Sequence, residues 1–87
     1  MLLETVKLAM GISTNAFDVE LNALINACKT ELRLAGVVSA EDESLFVQAI
    51  IFYCKAYFRN DDRSERYQKA FEKVRDAMSL AGEYDGN

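Results

Sequence analysis

Residues 39–58 read SAEDESLFVQAIIFYCKAYF, and this stretch decides the fold. Ser39 is a strong helix N-cap, and Asp42 stands three residues on as an acidic variant of the capping box. Glu41, Asp42 and Glu43 crowd the first turn, where the helix dipole favours negative charge. From Leu45 the chain turns apolar in three adjacent rows at helical spacing. Leu45, Ala49, Phe52 and Ala56 form one row, Phe46, Ile50, Tyr53 and Tyr57 the next, and Val47, Ile51, Cys54 and Phe58 the third. Only Gln48 and Lys55 are left for water. A helix apolar nearly all round is a central helix, and it needs cover from other helices, from another subunit, or from both.

This helix is too short to cross a bilayer. Its apolar run, Leu45–Tyr53, is interrupted by Gln48 and closely followed by Lys55, whereas a spanning helix needs about 20 mostly apolar residues. The N-terminal stretch MLLETVKLAMG carries Glu4 and lacks a basic leader region, so no signal peptide is expected. The default location is then the cytoplasm of the producing cell.

Ahead of the central helix, Leu2, Leu3, Val6, Ala9 and Met10 make an amphipathic stripe that predicts a short helix over Leu2–Met10, stopped by Gly11. A second helix is expected over Ala16–Ala35, with Phe17, Leu21, Leu24, Ile25, Cys28, Leu32 and Ala35 inward and Gly36 at its end. Asn15 and Asp18 resemble its capping pair. Beyond the central helix, Arg59–Ser64 is a polar connection. Tyr67, Ala70, Phe71, Val74, Ala77, Met78 and Ala81 then predict a fourth helix over Ser64–Ala81, closed by Gly82. The expectation is a single all-α domain over residues 1–82, about four helices around the central Ser39–Phe58 helix, with residues 83–87 a short flexible tail.

The chain has 87 residues, no proline, 51% hydrophobic residues and a net charge of −4. That is one domain, small enough for association to help its stability. The acidic balance argues against generic nucleic-acid binding, which is driven by phosphate neutralisation. Cys28 and Cys54 each fall on an apolar row, and two buried free thiols fit a reducing compartment. A disulfide between them is the alternative, since sequence fixes no distance.

Catalytic signatures are missing. There is no histidine, which removes Ser–His and Cys–His nucleophile pairs. No glycine-rich phosphate loop is present. Glu41–Glu43, and Asp61 and Asp62 with Glu65, are the carboxylate groupings; each is better read as a helix cap or a solvated connection than as a metal site. The sequence thus implies no enzyme, no metal and no cofactor.

Two features point to association instead. Arg66, Lys69 and Lys73 share a face of the fourth helix, suited to an acidic protein partner more than to DNA. The alternative is an ordinary surface, in which Glu65–Lys69 and Asp62–Arg66 are i, i+4 pairs. Tyr53, Tyr57, Phe58, Leu2, Leu3, Leu34 and Leu80 are candidates for an apolar surplus, which in a small domain marks an association site; the alternative is one well-filled core with scattered exposed groups.

The run VKLAMGISTNAFDVELNALINACKTELRLAGV, followed by FVQAIIFYCKAYFRND and RYQKAFEKVRDAMSLAG, resembles the small head–tail connector, or DNA-packaging, proteins of tailed bacteriophages and prophages. The resemblance covers about Val6–Gly82. It implies a non-enzymatic all-α subunit that forms a ring beneath the portal after packaging and extends the DNA channel. The ring then provides a platform for a stopper or tail-completion protein, and DNA passes without sequence-specific binding. Implied partners are other copies of the chain, the portal and the stopper or tail component, with no membrane. The implied location is the virion head–tail junction, and the host cytoplasm during assembly. The candidate subunit or portal contacts are Arg66, Lys69 and Lys73 on one side and Glu41, Asp42 and Glu43 on the other. The rival reading is a small helical DNA-binding regulator or a generic helical interaction module. A regulator needs a basic recognition helix after a tight turn, and here the helix after the Val37-Val38 link begins with three acids.

Overall fold

The structure is a computed structural model that describes residues 2–37, 44–58 and 62–85, with side chains through residue 79 in the last segment. Four helices follow in order: α1 (Leu2–Met10), α2 (Asp18–Leu34), α3 (Ser44–Phe58) and α4 (Ser64–Asp85). Among the described residues there is no strand. The all-α expectation holds, and α3 is its centre, because α3 packs against each of the other three helices.

The ring contacts fix how the helices run. Phe17, just ahead of α2, meets Phe58 at the end of α3 edge to face, with centroids 5.3 Å apart. Phe52 stacks on Tyr67 at 6.2 Å, and Tyr53 meets the edge of Phe71 at 5.1 Å. Tyr57 meets Gln68 while Tyr53 meets Phe71, so α4 runs antiparallel to α3, and the pairs Glu31–Arg75 and Ala35–Ser79 set α2 alongside α4 in the same sense. Their C-terminal ends converge, where Arg75 lies 3.7 Å from Glu31 and Ser79 bonds the Ala35 carbonyl. Val6, Leu21, Leu32, Cys28, Ile50 and Cys54 are fully buried between the helices.

Helices α1 and α2 end by the same device. Gly11 and Gly36 take positive φ, +71° and +88°. Gly11 donates to Leu8 O and Ile12 to Lys7 O; Gly36 donates to Arg33 O and Val37 to Leu32 O. In each case the glycine and the residue after it satisfy two carbonyls of the last turn, and that next residue is apolar and buried. Gly82 differs. The expected stop at Gly82 is not observed, and α4 continues through it to Asp85, into the stretch read from sequence as a tail. Gly82 is followed by Glu83, which gives the cap no apolar side chain to bury.

The start of α2 also departs from expectation. The helix begins at Asp18, two residues later than predicted, and Phe17 occupies its N-cap position without a side-chain cap bond. Asn15 and Asp18 do not cap one another by side chain. Both are engaged by Lys7 of α1, whose ammonium donates to Asn15 Oδ1 at 2.8 Å and lies 2.9 Å from Asp18 Oδ1. The second contact is a charge pair rather than an aligned hydrogen bond, and Asp18 Oδ1 is fully enclosed. The turn itself is held by Thr14, whose hydroxyl accepts from the Ala16 amide at 3.1 Å. The expected cap of the central helix, Ser39 with Asp42, lies outside the described residues.

Candidate assembly surface

Helix α4 places the basic residues. Its inner stripe is set by buried Phe71 and Met78 with half-buried Tyr67 and Val74. At 3.6 residues per turn the opposite face carries Arg66, Lys69 and Lys73, and all three are exposed. Sequence reading missed the ridge beside them. Glu65, Glu72 and Asp76 follow i, i+7, i+11 spacing and are also exposed. The outer face of α4 is thus a basic ridge alongside an acidic one. Lys69 and Glu65 approach to 3.7 Å with both side chains about three-quarters exposed, which contributes little to stability. Among the described residues no ion pair joins Asp62 to Arg66. Glu41, Asp42 and Glu43, the acidic candidates, lie outside the described residues.

Arg75 does not join the basic ridge. Its guanidinium sits 5.9 Å above the Phe71 ring, and its Nε donates to Asp76 at 3.2 Å. It ties α4 to Glu31 of α2 and is half-buried.

The apolar surplus is partly absorbed. Leu2, Leu3, Tyr53 and Phe58 pack against the core. Tyr57 is 48% exposed, with its hydroxyl accepting from Gln68 at 2.7 Å. Leu34 is 81% exposed, and the Leu80 side chain lies outside those described. Leu8 at 83% and Val19 at 85% are further exposed apolar groups that the stripe analysis did not single out. Val19 stands between Asp18 and Glu20, and Leu8 lies off the Leu2, Leu3, Val6, Ala9, Met10 stripe, so neither is marked by its helix's inward pattern. On α3, Gln48 is exposed as expected, whereas Lys55 lies half-buried over the Tyr67 ring, 5.3 Å from its centroid.

The reactive groups are sequestered. Cys28 and Cys54 are free and buried. Burial pushes the Cys54 thiol up to about 12. Cys28 is raised further, chiefly by burial and then by the nearby Cys54 and Glu31. The Tyr53 phenol is raised by the same desolvation, with Glu31 adding to it. Thiols held protonated are poor nucleophiles. Among the described residues no group of three or more Cys, Asp or Glu side chains is placed to hold a metal ion, and no helix is long and apolar enough to cross a membrane.

A family match decides what kind of protein carries these surfaces. The family described as Phage connector protein matches residues 2–85, which takes in all four helices. The chain belongs to the Phage connector protein family. No curated protein and no solved structure matched it. The outward features of this connector among the described residues are the two charged ridges of α4 and the exposed apolar side chains of α1, α2 and α3.

Proposed function

We propose that this chain is a head–tail connector (adaptor) subunit that assembles as a ring beneath the portal after DNA packaging. The ring continues the DNA channel and offers a platform to a stopper or tail-completion protein. It works at the virion head–tail junction after assembly in the host cytoplasm, without catalysis and without a cofactor. The observation that carries this reading is the connector family match across all four helices. It is supported by a fold that leaves Leu8, Val19 and Leu34 more than four-fifths exposed, since exposed apolar surface on a small domain serves association.

The mechanism is geometric. A surface that meets a different surface on the next copy closes a ring when the rotation between copies divides a full turn. Docking on a symmetric portal brings copies close together, so each contact can be weak on its own. The net charge of −4 suits a conduit that DNA crosses without adhering. Arg66, Lys69 and Lys73 form one side of a subunit or portal contact, with Glu41, Asp42 and Glu43 on the complementary side. Such charges steer and register the copies more than they bind them.

The test is light scattering and native mass measurement of the subunit alone and with its cognate portal. A weakly associating subunit that becomes a defined ring on the portal is the expected result. A subunit that stays monomeric and ignores the portal at every concentration would require the connector role to be abandoned.

A further inference from the structure

Two outward faces of the chain carry almost no charge along their midlines, and they belong to different helices. On α2 the face opposite buried Leu21, Ile25, Cys28 and Leu32 presents Val19, Ala23, Asn26, Ala27, Thr30 and Leu34, all exposed. Val19 and Leu34 mark the ends of a strip about 22 Å long at 1.5 Å per residue. The small side chains at its middle let a second helix approach closely. Glu20 and Glu31 border one side of the strip, and Lys29 and Arg33 border the other. On α3 the face opposite buried Phe46 and Ile50 presents Ser44, Leu45, Gln48, Ile51 and Lys55. Leu45 is 47% exposed, Ile51 is half-buried, and Lys55 is the single charge. This is a side of the central helix that the described residues leave incompletely covered.

We infer that the α2 strip of one copy packs on this α3 face of the next copy. Charge favours that partner over an antiparallel pair of α2 strips. An antiparallel two-fold pairing of α2 with itself keeps each edge on its own side, laying Glu20 and Glu31 against the same acids and Lys29 and Arg33 against the same bases. Among the described residues the α3 face has no acid, and its Lys55 suits the acidic edge of the strip. Size argues the same way. Six side chains from one helix fall well short of the 20–30 residues a side of a stable free complex. The contact therefore suits copies already gathered on a template. Because the two faces differ, the contact is heterologous and propagates around a ring. The inference rests on the ring reading above and adds the surfaces that make the ring.

Engineered cysteines test it. The native thiols are buried, so Ala27→Cys and Gln48→Cys supply the reactive ones. Portal-bound particles are built with either variant alone or with an equal mixture and treated with a short bifunctional maleimide. The expected result is cross-linked dimers from the mixture and none from either variant alone. A chain carrying both substitutions gives a ladder of higher oligomers. Cross-linking of Ala27→Cys with itself would instead establish an α2–α2 pair and overturn the inference. Particles that contain the variants but yield no cross-link would also overturn it while leaving the ring intact. Failure of the unmodified chain to enter particles would remove the ring reading and this contact with it.

Discussion

Ser79 donates its hydroxyl to the Ala35 carbonyl at 2.7 Å, so α4 satisfies a backbone oxygen at the position where α2 ends. The glycine cap beyond Ala35 serves the Leu32 and Arg33 carbonyls and leaves that of Ala35 to find its own partner. A side chain 44 positions away supplies it.

Ser79→Ala removes the donor and leaves a partly buried carbonyl. The expected loss is about 0.5–1.5 kcal/mol, read as a lower melting temperature by circular dichroism. In a domain of this size each kcal/mol moves the midpoint by about 4–8 °C. An unchanged midpoint would mean that water replaces the bond without cost.

Lys7→Met tests the tie between α1 and the turn before α2. The ammonium is the charged partner of an enclosed Asp18 oxygen and also bonds Asn15. Its removal should cost about 1–3 kcal/mol, and adding Asp18→Asn should recover part of that by removing the stranded charge. Equal stability of the two variants would show that the carboxylate simply turns to solvent.

Local signals explain what the sequence discloses. Gly11-Ile12 and Gly36-Val37 each combine a residue free to take positive φ with an apolar one to bury, and both stops fall where expected. Gly82-Glu83 lacks the second half of that signal, and α4 runs on. The central place of α3 is legible because three apolar rows need three neighbours. The Lys7–Asp18 and Ser79–Ala35 contacts are not legible, because each joins residues that become neighbours only once the helices pack. The acidic ridge of α4 is a different case: its spacing and the inner stripe of Phe71 and Met78 that places it beside the basic ridge are both present in the sequence, and reading the acids only as i, i+4 partners of single bases passes over it.

Ile50 is fully buried on the central helix. Ile50→Asp would place an unpaired carboxylate there at a cost of several kcal/mol, against a total stability of about 5–15 kcal/mol for ordinary domains. Loss of the cooperative thermal transition is expected. A melt near the parent temperature would show that α3 tolerates water at its core.

The buried thiols predict alkaline sensitivity. The Cys54 thiol stands at about 12 in the fold against an ordinary 9.0, and Cys28 and Tyr53 are also raised. Above pH 9 the unfolded chain gives up these protons while the fold retains them, so unfolding becomes more favourable as pH rises. Their contribution is fully present below about pH 9 and is lost progressively toward pH 12. Cys54→Val should flatten that decline between pH 9 and 11 in denaturant titrations. The native thiols should also resist a disulfide reagent until the chain unfolds. Rapid labelling of the folded protein at pH 8 would contradict their burial.

Charge reversal of the α4 ridge tests the assembly role most directly. Arg66 and Lys69 are exposed, and the Lys69–Glu65 contact is too open to matter much for the fold. Arg66→Glu with Lys69→Glu should therefore leave the melting temperature nearly unchanged. It would, however, turn the basic ridge acidic beside an already acidic one, so a partner surface that is acidic would be repelled. Incorporation into portal-bound particles should fall, and raised salt should weaken the parent's assembly while reducing the gap between parent and variant. The measurement is the amount of each protein sedimenting with portal-bound particles across a salt series, with the melt as the control for folding. A folded variant that enters particles as well as the parent at low salt would take Arg66 and Lys69 out of the contact, and the search for the portal-facing surface would move to the apolar side chains of α1, α2 and α3.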